Sequence, residues 1–98
     1  MEKGTPHCRL SIVKSLIDAG RVRSTASALA GGAALGLDFD GIVAIVAELA
    51  PADFYKSMTT LADHKVWQDV YRPTTRVGTV YLKLTVIDDL LIVSFKEL

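Results

Sequence analysis

Apolar residues recur every three or four positions through the first half of the chain and every second position through the second half. Helices are therefore predicted first and strands afterwards. Leu10, Val13, Leu16 and Ile17 form one helical stripe, with Thr5 as cap, Pro6 at the first helical position and Gly20 beyond the end. Arg21-Val22-Arg23 reads as a short extended link. Ser24 or Thr25 caps a second, alanine-rich helix that fades at Gly31-Gly32 or slightly later. Asp38 or Asp40 caps a third, whose stripe is Ile42, Ile45, Val46 and Leu49, and Pro51 closes the helical half. From Asp53 the period of two predicts strands near 53–60, 66–72, 77–87 and 90–96, with turns at Pro73-Thr74-Thr75 and Asp88-Asp89. Short connections make these neighbours antiparallel. The expected class is α+β, with N-terminal helices packed on an antiparallel sheet of about four strands, in a single domain over residues 1–98.

Alternation also sorts side chains onto faces. With Asp88 and Asp89 at the tip, Leu82 faces Phe95, Leu84 faces Val93 and Val86 faces Leu91, one apolar seat for the helices. The opposite face pairs Tyr81 with Lys96 and Lys83 with Ser94. In the first strand Lys56 and Met58 share one face, with Tyr55 and Ser57 on the other. In the second, Gln68 goes with Val66, Val70 and Arg72, opposite Trp67 and Tyr71. Periodicity does not align the first two strands with the last two. If they align, Lys56, Gln68, Arg72, Tyr81, Lys83 and Lys96 gather on one open face, and Asp69 points away from it. That face would hold cations, an amide and a phenol, and no carboxylate. Such groups suit a phosphodiester and a stacked base, although lysines on a solvated sheet face are also ordinary.

Composition narrows the picture only in part. Half of the 98 residues are hydrophobic, enough for a core. A single cysteine, Cys8, gives no disulfide framework and no thiol-based zinc site, and fits a reducing cytoplasm. The N-terminus lacks an apolar signal core, and the run Ile42 to Ala47 is too short for a bilayer, so no membrane association is expected. Eleven basic and eleven acidic residues cancel. No global field draws in nucleic acid, and any such site must be a local patch made by folding.

Several long segments resemble one family. They are Leu37-Asp38-Phe39-Asp40-Gly41, the run Asp53 to Thr60, Trp67-Gln68-Asp69-Val70-Tyr71-Arg72-Pro73, Val80-Tyr81-Leu82-Lys83 and Leu91 to Lys96, with Thr5-Pro6-His7 near the start. Together they are similar to the motility quorum-sensing regulator (MqsR) toxins. The resemblance implies a RelE-like fold and the toxin of a type II toxin–antitoxin system, an endoribonuclease that cuts mRNA at GC-containing sites. It also implies a cognate antitoxin with zinc-binding and helix-turn-helix regions, through which alone operator DNA is contacted. Carried over as catalytic candidates are Lys56, Gln68 and Tyr81, and as RNA-binding candidates Tyr55, Met58, Arg72, Lys83 and Lys96. The chain departs from the family pattern at Cys8, in the alanine- and glycine-rich stretch Ala28 to Ala34, at Asp88 and at Leu98. A loss of basic character at the sheet end bears on RNA affinity; none of these positions is a catalytic candidate.

The residue types favour attack of the ribose 2′-hydroxyl on the adjacent phosphate without a metal or other cofactor. Histidines are confined to His7 and His64, outside the cluster. Lys56 serves as base if cations or burial depress its pKa, and otherwise stabilises charge. Tyr81, beside Lys96, donates a proton or stacks on a base. Gln68 can hold ribose, phosphate or a base edge, and Arg72 can clamp phosphate. Trp67 and Phe95 read as core or partner contacts and Cys8 as packing. Gly31-Gly32 lacks the context of a phosphate loop. The alternative is a non-catalytic binding module, or a regulator acting only through a partner protein.

Overall fold

The computed structural model describes all of residues 1–98. The chain runs β1 (Glu2–Lys3), α1 (Leu10–Asp18), β2 (Val22–Ser24), α2 (Ala26–Ala34) and α3 (Phe39–Ala47). A 3-10 turn (Pro51–Asp53) follows, then β3 (Phe54–Thr59), β4 (Trp67–Tyr71), β5 (Thr74–Thr75), β6 (Gly78–Ile87) and β7 (Asp89–Glu97). This is the expected α+β class, with helices on one side of a sheet.

The four predicted strands are present as β3, β4, β6 and β7, and short pieces enlarge the sheet to seven. Its order is β1-β3-β4-β6-β7-β2, with β5 folded back on β6. All neighbours are antiparallel except β2, which runs parallel to β7. The extended link at Arg21-Val22-Arg23 is thus partly a strand. Two-residue and three-residue strands leave too little alternation to be read from sequence.

Local chemistry explains the helix starts. Thr25 accepts a hydrogen bond from the Ala28 N–H at 3.1 Å, and Asp38 from the Gly41 N–H at 2.8 Å, so each satisfies an otherwise unpaired donor. The first helix differs from expectation. It begins at Leu10, after Arg9, with no side-chain cap. Thr5-Pro6-His7-Cys8 is instead a loop, whose His7 and Cys8 amides both donate to the Asp69 carboxylate at 2.9 Å. That tertiary anchor overrides the local cap signal of Thr5-Pro6.

The core lies between the helices and the inner sheet face: Val13, Ala28, Ile42, Val46 and Leu49 pack against Tyr71, Leu82, Leu84, Leu90, Ile92 and Phe95. α2 lies along β7, closely enough that a Cβ on Gly31 would sit 1.6 Å from the Phe95 carbonyl oxygen. The glycine is required by this approach of two backbones. No single helix is long and apolar enough to cross a membrane; α2 and α3 meet at 91°.

Register in the β6–β7 hairpin is as expected at its far end, where Leu82 pairs with Phe95, Tyr81 with Lys96 and Lys83 with Ser94. Nearer the tip it is shifted by one. Leu84 pairs with Ile92 and Val86 with Leu90, in place of Val93 and Leu91. Asp88 alone forms the tip, at φ 65°, and an irregularity beyond Leu84 restores the register. The shift buries Leu90 and Ile92 completely and leaves Leu91 and Val93 half-buried. Asp89 belongs to the strand, and its carboxylate accepts from Arg21 Nε at 2.8 Å, fastening the segment before β2 to the start of β7.

Candidate functional site

The pairing of β4 with β6 supplies the alignment that periodicity left open. Lys56 on β3 lies opposite Val70 on β4, which lies opposite Lys83 on β6, which lies opposite Ser94 on β7. These four form one row across the sheet on the side away from the helices. With strands about 4.8 Å apart, the backbones carrying Lys56 and Lys83 are separated by about 10 Å. A second row holds Met58 and Gln68, which are direct partners. A third holds Tyr81 opposite Lys96, and the β4–β6 register continued by one residue brings Arg72 beside Tyr81. The open face therefore unites Lys56, Gln68 and Tyr81 with Met58, Arg72, Lys83 and Lys96.

Tyr55 joins them against expectation. Phe54 pairs with Tyr71 and Lys56 with Val70, so Tyr55 is an extra residue in a bulge. Strict alternation assigned it to the face of Ser57. In fact its ring is half exposed, with the Arg72 guanidinium 4.3 Å and the Lys56 ammonium 5.4 Å from its centroid. Both contacts are cation–π interactions. Tyr81 is flanked in the same way by Lys96 at 5.1 Å and Lys83 at 5.8 Å. Val70, at the centre of the face, is fully buried although no helix covers it. The aliphatic stems of its lysine neighbours can shield it while their charged ends stay in water.

The two central lysines differ electrostatically. Burial, and then the Lys96 and Lys56 cations, hold the Lys83 ammonium below the ordinary lysine range. Lys56 is shifted the other way, chiefly by its hydrogen bond to the Glu2 carboxylate at 2.9 Å, with the charges of Glu2, Tyr55 and Tyr81 acting in the same direction. This raised pKa keeps Lys56 in its charged form at neutral pH.

Glu2 is the residue sequence reasoning missed. β1 pairs with β3 so that Glu2 lies opposite Met58 and Lys3 opposite Ser57. Glu2 is thus on the open face, which does contain a carboxylate. A two-residue strand near the chain start carries no periodic signal to reveal it.

The reverse side of β3 and β4 is a structural lock. Asp69 is 5 % exposed and accepts from the Ser57 hydroxyl at 2.6 Å as well as from the His7 and Cys8 amides. His7 stacks on Trp67 with centroids 5.7 Å apart, and the Lys3 ammonium lies 4.1 Å from the Trp67 centroid. Neither belongs to the open face, and His64 is exposed in the β3–β4 loop. Burial and the Asp69 charge raise the Cys8 thiol pKa, which leaves it a poor nucleophile. No group of three or more His, Cys, Asp or Glu side chains converges in a metal-ligating arrangement.

Two comparisons bear on this face. The family model described as motility quorum-sensing regulator, toxin of MqsA, matches residues 5–97. The chain is 63% identical over 97 residues to the mRNA interferase toxin MqsR of Escherichia coli (strain K12), a match covering 99% of each protein. Every residue of the open face except Glu2 lies inside the span of the family match.

Proposed function

Since the chain belongs to the motility quorum-sensing regulator family, the toxins of MqsA, we propose that it is the toxin of a type II toxin–antitoxin pair and an endoribonuclease that cuts mRNA at GC-containing sites in the cytoplasm. The observation that carries this reading is the gathering of Lys56, Gln68 and Tyr81, from three strands, onto one uncovered face beside Lys83, Lys96 and Arg72. The cognate antitoxin carries zinc-binding and helix-turn-helix regions, and operator DNA is reached through it.

The chemistry is attack of the ribose 2′-hydroxyl on the neighbouring phosphorus, giving a 2′,3′-cyclic phosphate and a 5′-hydroxyl end. The phosphate gains negative charge as the bond forms. A face furnished with ammonium and guanidinium groups stabilises that charge without a metal ion. Lys56, kept protonated by Glu2, lies 5.4 Å from the Tyr55 centroid and holds a phosphate oxygen. Arg72 and Lys96 bind flanking phosphates. Tyr55 and Tyr81, each already faced by cations, offer rings on which bases stack. Gln68 has donor and acceptor groups for a base edge, and Met58 packs beside it. Tyr81 is the candidate proton donor to the leaving oxygen.

Lys56→Ala tests this directly. Its side chain stands on the open face, 27 % exposed, and outside the core, so the variant is expected to fold and to bind its antitoxin while losing RNA cutting and growth arrest. A variant as toxic as the parent would refute the enzyme reading and favour a non-catalytic binding module. End-group analysis of RNA cut with a chelator present tests metal independence.

A further inference from the structure

We infer that Glu2 is the general base of this face, taking the proton from the ribose 2′-hydroxyl as that oxygen attacks phosphorus. The inference rests on the endoribonuclease reading above and deepens it.

Position argues first. Glu2 sits beside Met58 on the open side, and its carboxylate oxygen lies 2.9 Å from the Lys56 ammonium. It borders an open pocket together with Lys3, Gly4, Tyr55 and Lys56. The side chain is 57 % exposed, so a bound substrate can reach it. An ammonium has three N–H donors, and one spent on Glu2 leaves two for a phosphate oxygen. Base and charge stabiliser are thereby held side by side, as proton removal beside a reacting phosphate requires.

Elimination argues second. The other groups of the face are ammonium, guanidinium, phenol, amide and thioether. None carries a negative charge at neutral pH, and Lys83, whose ammonium is held below the ordinary lysine range, stands on β6, two strands from Lys56 and its Glu2 partner. Lys56 is held in its charged form by Glu2 itself. Asp69 faces the other way and is committed to three donors. His7 is stacked on Trp67 beneath the sheet. Glu2 is left as the acceptor within reach.

In the step, the 2′-hydroxyl proton passes to the Glu2 carboxylate and the 2′-oxygen–phosphorus bond forms. The bond from phosphorus to the 5′-oxygen breaks, and the leaving oxygen takes a proton from the Tyr81 phenol. Solvent then reprotonates Tyr81 and removes the proton from Glu2. The charged and titratable groups facing Glu2 are Lys56 and Tyr55 from β3, with Tyr81 and Lys83 beyond them on β6. The Met1 amine is engaged with Thr59, Lys3 lies over Trp67, and the helices pack on the opposite side.

Glu2→Gln, Glu2→Asp and Lys56→Ala, assayed with the parent on an RNA oligonucleotide containing one GC step, test the inference. Single-turnover rates are read from acid to alkaline pH, with thermal midpoints and RNA binding in parallel. Glu2→Gln is expected to cut about 10²–10⁴-fold more slowly and to lose the acidic limb of the profile, with binding and midpoint retained. Glu2→Asp should recover part of the rate and keep the limb. Glu2→Gln cutting as fast as the parent or faster, or slowed equally at every pH with the limb intact, would overturn the inference. If the parent cuts and Lys56→Ala does not, that failure leaves the endoribonuclease reading standing. A parent that leaves RNA intact would overturn both.

Discussion

Replacing Asp69 with alanine removes one buried carboxylate and strands three donors at once. Its oxygens accept from the His7 N–H and the Cys8 N–H at 2.9 Å and from the Ser57 hydroxyl at 2.6 Å, with the side chain 5 % exposed. The two amides belong to a surface loop and can turn to water, so each loss costs about 1 kcal/mol. Ser57 is fully buried, and its alternative acceptor, the Gln68 carbonyl, is 3.5 Å away, too far for a good bond. Its orphaned hydroxyl costs about 1–3 kcal/mol. The sum, about 3–5 kcal/mol, is a large part of the 5–15 kcal/mol or so that keeps such a domain folded. At about 4–8 °C per kcal/mol, the melting temperature should fall by on the order of 20 °C. Thermal and urea unfolding followed by circular dichroism measure it. A Ser57→Ala background should show coupling above about 1 kcal/mol. A loss below about 1 kcal/mol for Asp69→Ala alone would refute the reasoning.

Three further outcomes follow from the same structure. Gly31→Ala places a methyl group 1.6 Å from the Phe95 carbonyl oxygen, so α2 must ride off β7; a loss of about 1–3 kcal/mol or more is expected in urea unfolding. Lys83→Met should raise the melting temperature at neutral pH, because the folded protein holds the charged lysine at a cost that the unfolded chain does not bear. The folded pKa lies below the unfolded value, so wild-type stability rises with pH between the two, and the benefit of Met should fade as pH climbs to the ordinary lysine value. Lys96→Ala, at the end of the tyrosine row, should weaken RNA binding at every sequence and flatten the log–log salt dependence by about 0.7, the effect of one lost phosphate contact.

Long elements were legible because periodicity accumulates over many residues. β3, β4, β6 and β7 each alternate long enough to reveal two faces, which sets Lys56 with Met58, Gln68 with Arg72, and Tyr81 with Lys83 and Lys96. The pairing of β4 with β6 was not legible, since it depends on the register chosen by the fold. Alternation failed where the backbone breaks its own period. The bulge at Tyr55 turned a residue over, and the one-residue tip at Asp88 exchanged Leu90 and Ile92 for Leu91 and Val93 in the core. Thr5-Pro6 imitated a helix start because a local signal does not record a carboxylate 60 residues or more downstream. Glu2 was invisible for want of length.

The sheet order also sets how the molecule meets its own kind. Its two rims are β1, of two residues, and β2, of three. A rim that short offers few free backbone groups for another chain to zip against. The longer, more apolar strands are each hydrogen-bonded on both sides within the molecule. Peeling β1 away would bare the flank of β3 at Ser57–Thr59, a template for strand addition. The small N-terminal strand thus guards against aggregation in a chain of positive mean hydropathy.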